Sequence, residues 1–128
     1  MPPPPKQSPI VLTRTKAAYK LWLVIFNDFP KVSRNTLGKK IDNYFFDLLE
    51  TIFAAIYLSG EPKINKLTLA SAELDGLKFF LQLAWENKCI SLERFSALSE
   101  ELNTTGRMLG GWRKDIISKT PANSGRNS

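Results

Sequence analysis

The 128-residue sequence predicts an all-α fold, an antiparallel up-and-down four-helix bundle. Three observations carry that expectation. Apolar residues recur at alternating spacings of three and four through four long segments, which turns one face of each helix toward a core. No segment alternates apolar and polar residues with the period of two that a half-buried strand needs. The segments are separated by short stretches rich in proline, glycine and serine, and short connections make consecutive helices antiparallel neighbours.

The first helix is expected over about 13 to 28, stopped by Pro30. Its Ala18, Trp22, Ile25 and Phe29 form one stripe, and Tyr19, Leu23 and Phe26 a second beside it. Only Lys16, Lys20 and Asn27 remain as a polar face. That is more apolar circumference than one bundle core covers, so Tyr19, Leu23 and Phe26 are expected at an interface between copies of the chain. The second helix, about 34 to 59, carries Leu37, Ile41, Leu48, Ile52 and Ala55 on one line and Phe46, Leu49, Phe53 and Tyr57 on another, and "SGEP" ends it. The third, about 64 to 88, carries Leu67, Ala70, Leu74, Leu77, Leu81 and Ala84. The fourth opens at Ser91 as N-cap and carries Phe95, Leu98, Leu102, Thr105, Leu109, Trp112 and Ile116.

The bundle is thus expected over residues 12–118. Residues 1–11, opening on "MPPPP", read as a disordered Pro-rich arm, since proline fixes φ and supplies no donor. Residues 119–128 read as a disordered tail, having no apolar periodicity.

Composition narrows the function. The longest apolar run, "LWLVIF" at 21–26, falls well short of the roughly 20 residues a membrane helix needs, and no secretory leader pattern is present. A lone cysteine, Cys89, makes no internal disulfide; a cytoplasmic protein without membrane contact is expected. The chain has no histidine, and so lacks the commonest general base and neutral metal ligand. Paired acids, Asp42 with Asp47, Glu73 with Asp75 and Glu100 with Glu101, lack the Glu-x-x-His partners that a di-iron bundle requires. No catalytic residue, metal or cofactor is expected, and the chain reads as non-enzymatic.

The net charge of +6 is segregated. Residues 1–40 hold eight Lys or Arg against one acid, residues 41–106 five against ten, and residues 107–128 five against one. Such ends suit a polyanion; solvated helix faces are the alternative. The candidate cations are Arg14, Lys16, Lys20, Lys31, Arg34, Lys39 and Lys40, with Arg107, Arg113 and Lys114. The last three sit in "GRMLGGWRKD" (106–115) beside Gly106, Gly110 and Gly111. An interior helical glycine costs about 1 kcal/mol against alanine. On a helical wheel Gly106 and Gly110 fall beside the core stripe, where close packing would compensate. Gly111 falls on the opposite face, where only a neighbouring molecule would, and it joins the expected oligomer interface.

Three blocks in this order, "FPKVSRNTLGKKI" (29–41), "LDGLKFFLQLAWENKCIS" (74–91) and "LSEELNTTGRMLGGW" (98–112), resemble a four-helix-bundle family. It holds the accessory variability determinant (Avd) proteins of diversity-generating retroelements and the intervening-sequence proteins encoded within bacterial large-subunit rRNA genes. The resemblance spans about 13 to 117. It implies a ring-like, barrel-shaped homopentamer acting as a non-catalytic accessory subunit that binds an error-prone reverse transcriptase, template RNA and DNA, and supports mutagenic reverse transcription. The alternative implied by the same likeness is a protein associated with ribosomes or rRNA. Arg107, Gly110 and Trp112 match the family's "GR-LG-W" block, and Lys78 stands where Avd proteins carry a basic residue on the third helix. Gln82 departs from a second basic position on that helix. Binding through clustered charge is expected to be salt-sensitive, with little sequence preference.

Overall fold

The computed structural model describes residues 8–121. Helices α1 (Ser8–Asn27), α2 (Lys31–Ser33), α3 (Lys39–Ile56), α4 (Gly60–Glu86) and α5 (Leu92–Lys119) follow one another, with a single π-helical turn at Arg34–Gly38 between α2 and α3. There is no strand among the described residues. The four long helices make an antiparallel bundle in which α1 and α4 each pack against both α3 and α5 and face each other across the core.

The expected stripes form that core. Ala18, Trp22 and Ile25 of α1, with Phe29 just beyond its end, meet Ile41, Phe45, Leu48 and Ile52 of α3, and Leu67, Leu74, Leu77 and Leu81 of α4 meet Leu98, Leu102 and Leu109 of α5, all of them buried. The Ser91 Oγ accepts the Arg94 backbone N–H at 3.2 Å, the N-cap that the sequence predicts for α5.

The helix ends differ in instructive ways. α1 begins at Ser8 rather than near residue 13, so residues 8–11 belong to the bundle and not to an arm; residues 1–7 lie outside the described ones. Pro9 falls in the first turn, where its missing N–H costs nothing, and Val11, 4% exposed, extends the buried stripe by one more turn. α4 likewise starts at Gly60, because Pro62 is tolerated in a first turn. α5 runs to Lys119, one residue into the expected tail, and residues 122–128 lie outside the described ones. α4 ends with Lys88 in the left-handed region at φ 62°, a position glycine usually takes. There the Lys88 and Cys89 amides donate back to the Trp85 and Ala84 carbonyls at 3.0 and 2.8 Å, which satisfies the last turn without a glycine.

The second helix is not continuous. Its first residues form α2 and the π turn, and the turn makes two tertiary contacts with α1 and the residues that follow it. A Cβ on Gly38 would lie 2.7 Å from Phe26 Cε1 and 3.3 Å from Phe29 Cδ2, so the α3 backbone approaches α1 only because this residue has no side chain. Arg34 reaches back from the turn and donates to the Asn27 and Phe29 carbonyls at 3.0 and 3.1 Å, capping the exposed end of α1.

α1's second stripe is also covered mainly from within. Tyr19 packs its ring on Phe45 and Phe46, with centroids 5.4 and 5.5 Å away, and Phe26 stacks on Trp22 at 5.3 Å. The Tyr19 hydroxyl and the Trp22 indole N–H both donate to Asp42 Oδ1, at 3.1 and 3.2 Å. Burial, and then the Asp42 charge, raise the Tyr19 hydroxyl above its ordinary pKa. The wheel overstated the open surface of α1 because aromatic rings at the flank of a stripe reach across the α1–α3 seam. Leu23, 45% exposed, keeps the outward position expected of the stripe.

Candidate nucleic-acid interface

α4 and α5 run antiparallel in a register set by three contacts. Trp85 stacks on Phe95 with centroids 5.0 Å apart, Gly106 faces Leu74, and Arg113 Nε donates to Thr68 Oγ1 at 2.8 Å. On the outer side of this seam lies an open groove of about 400 Å³, lined by Ser71, Leu74, Asp75 and Lys78 from α4 and by Asn103, Gly106 and Arg107 from α5. Gly106 helps keep it open: a Cβ there would stand 3.2 Å from Leu74 Cδ2, so that the leucine would have to give, and 3.6 Å from Lys78 Nζ, in ordinary contact.

Lys78 is half-buried and Arg107 exposed. Arg107 donates to Thr104 Oγ1 one turn back at 3.1 Å, which lays its guanidinium along α5. None of the three ion pairs found among the described residues involves Lys78, Arg107 or Asp75. The groove therefore holds two cations that form no ion pair, with the Asp75 carboxylate beside them, above a floor of Leu74.

The other cations expected from the sequence are distributed elsewhere. Lys31, Lys39 and Lys40 are exposed around the α1–α3 turn, and Lys40 Nζ lies over the Tyr44 and Phe80 rings at 5.5 and 5.7 Å. Lys16 and Lys20 are exposed on α1, and Lys114 on α5. Arg14 pairs with Glu101 at 3.7 Å. Arg34 is half-buried, and one of its guanidinium nitrogens holds the α1 cap. Arg113, tied to Thr68, closes the α4–α5 seam beyond the groove. Of the eleven expected cations, the fold brings Lys78, Arg107 and Arg113 together along one seam.

The glycines separate in the same way. Gly106 packs closely, as its wheel position predicts. Gly110 does not: nothing lies within 4 Å of the Cβ position, because at that level no α4 side chain stands over it. Gly111 is exposed and equally free, at the edge of a second, apolar depression of about 340 Å³ between α1 and α5 lined by Ile10, Met108 and Trp112 among others. Sequence reasoning missed Ser71, Asp75 and Asn103, which become groove residues only through the α4–α5 register. It also missed Lys63, 6% exposed with Nζ 5.2 Å over the Trp112 ring, where burial lowers the ammonium pKa. Its place four residues before Leu67 on the core stripe was a visible signal.

Three acids of the middle segment, Asp47, Glu50 and Glu73, come near one another on the α3–α4 seam. Burial, first, and the Asp47 and Glu50 charges raise the Glu73 carboxyl above the ordinary carboxylate range, against a hydrogen bond with Thr51 and the Lys66 charge, which lower it. A group with a raised folded pKa binds its proton more tightly in the folded state, so its contribution is complete at acid pH and is lost as pH rises through that pKa. Thermal melts from roughly pH 4 to 8 should therefore show Glu73→Gln gaining stability over the native chain toward the alkaline side, with no gain at the acid end. Equal shifts at both ends would remove Glu73 as the cause.

None of the described helices is long and apolar enough to cross a membrane, and no group of three or more metal-ligating side chains occurs among the described residues. No curated protein matches the chain. Among solved structures, a protein of unknown function from the S23 ribosomal protein family of Bacteroides thetaiotaomicron shares the fold, with a TM-score of 0.75 at 16% identity, covering 84% of this chain and 98% of that one. The sequence profile of bAvd-like proteins matches residues 10–116, which takes in all but the outermost residues of the four long helices and includes every groove residue. With that match spanning nearly the whole bundle, the chain belongs to the bAvd-like family.

Proposed function

We propose that this protein is a non-catalytic accessory subunit of a diversity-generating retroelement, which binds the reverse transcriptase and its template RNA and cDNA and supports mutagenic reverse transcription. Membership of the bAvd-like family supports the reading, and the observation that carries its chemistry is the pair of cations, Lys78 and Arg107, that line the α4–α5 groove without an ion-pair partner. Phosphates bound there release condensed counterions, which makes binding strong and salt-dependent. The protein works as a homo-oligomer, a pentameric ring in keeping with its likeness to Avd proteins, and repetition around the ring multiplies each groove. Support for assembly lies on the outer α1–α3 seam, where Leu23, Phe46, Phe53 and Tyr57 are 45, 50, 49 and 39% exposed. Apolar side chains clustered in this way on a folded surface mark interaction sites.

Two measurements test the proposal. The affinity for a single-stranded RNA, titrated against salt, should fall steeply, and Lys78→Gln with Arg107→Gln and Arg113→Gln should make the slope shallower by about 2, at roughly 0.7 per lost phosphate contact. Co-expression with a reverse transcriptase encoded beside the gene should give a stoichiometric complex. Salt-insensitive binding would overturn the charge mechanism. Co-purification with ribosomes in place of a polymerase would transfer the protein to the rRNA-associated reading.

A further inference from the structure

The sequence offers no motif that reads bases, but the groove contains more than cations. Lys78 and Asp75 are neighbours one turn apart on α4, and Asn103 and Arg107 are neighbours one turn apart on α5, so two donors-only groups and one acceptor-only group converge with a carboxamide over a single apolar residue, Leu74. A carboxylate is a poor component for a site that merely attracts phosphates, since it cancels half of the local positive charge. It is suited to a ligand that presents two adjacent N–H donors.

Guanine is the base with that edge. Its N1–H and N2–H₂ lie side by side and match the two oxygens of a carboxylate, while O6 and N7 accept from Lys or Arg. The Watson–Crick edges of adenine, cytosine and uracil each place an acceptor next to a donor and leave one carboxylate oxygen facing a lone pair. We propose that the α4–α5 groove seats one guanine nucleotide of an unpaired RNA strand, with Asp75 accepting from the N1–H and N2–H₂ edge, Lys78 and Arg107 serving O6, N7 and the adjoining phosphate, and the base lying over Leu74. This inference rests on the nucleic-acid reading above and adds a base preference to it. The groove is open toward solvent rather than closed around its contents, and its volume of about 400 Å³ takes one nucleotide while leaving the strand free to enter and leave. This openness points to a nucleotide within a strand as the occupant rather than a free one.

The test compares uridine tracts that carry one central guanosine, adenosine or inosine, at fixed salt, on the full chain and on Asp75→Asn. The native protein should bind the guanosine tract about tenfold more tightly than the adenosine tract, the range of a good bidentate contact. Inosine, which lacks the N2 amino group, should fall between them. Asp75→Asn should lose the preference in a particular way: affinity for the guanosine tract falls, whereas affinity for the adenosine tract holds or rises because a negative charge has been removed. A carboxylate with a merely structural role would lower all three together. Equal affinity of the native chain for all three tracts, with the salt dependence intact, would overturn the guanine seat and leave the nucleic-acid function standing. Loss of all salt-dependent binding would overturn both. If guanosine monophosphate alone displaced the guanosine tract at the concentration at which the tract itself competes, the occupant would be the free nucleotide, and the strand-borne form of the proposal would fall.

Discussion

Replacing Trp22 with alanine should destabilise the bundle by about 4 kcal/mol, the upper range for removing a large buried aromatic. Trp22 has no exposed surface and is the largest fully buried side chain. Its ring stacks on Phe26 and Phe45 at 5.3 and 6.2 Å and meets Phe29 edge-on at 5.8 Å, so the loss leaves a cavity walled by three rings that pack mainly against it. Phe26 in turn bears on Gly38, which admits no side chain, so the wall has little freedom to collapse. The indole N–H is one of two donors to Asp42, and its removal leaves that half-buried carboxylate with the Tyr19 hydroxyl alone. For a domain with a total stability of about 5–15 kcal/mol, the melting temperature should fall by about 15 °C in a calorimetric or circular dichroism melt. A fall of only a few degrees would mean that the rings repack, and that the π turn does not hold Phe26 in place.

Leu23→Asp combined with Phe46→Asp should convert the proposed oligomer to single chains of 14.5 kDa while leaving the helical circular dichroism nearly unchanged. Leu23 lies one turn beyond Tyr19, whose ring touches Phe46 across the seam, and neither Leu23 nor Phe46 belongs to the buried core. Within one protomer the change exposes two carboxylates to water and gives up the half-exposed contact of Phe46 with the Tyr19 ring. Against an apolar surface on a second copy it buries unpaired charges, which costs several kcal/mol per interface. Light scattering at micromolar protein is the measurement. A native chain that is already monomeric, or a variant that still assembles, would move the interface away from this seam.

Much of the bundle was legible because its signals are local and periodic. The stripes from Ala18 to Phe29, Leu67 to Ala84 and Leu98 to Trp112 are buried as their spacing predicts, since a helix repeats every 3.6 residues whatever surrounds it. Ser91 was legible as a cap because it bonds an amide three residues away. The start of α1 was obscured by proline, although Val11 continued the stripe; prolines outside a helix and in its first turn look alike in sequence.

What the sequence by itself determined was therefore the helices, their buried faces, the segregation of charge and, through three ordered blocks, the family. What only the tertiary structure decided depends on residues distant in the chain and on the offset between helices. Gly38 meets Phe26, and Arg34 caps α1, because the π turn lies against the end of α1. Gly106 and Gly110 share a wheel position to within one turn of α5. One lines a groove and the other faces open space, because the register of α5 on α4 sets Leu74 and Lys78 opposite the first and nothing within 4 Å opposite the second.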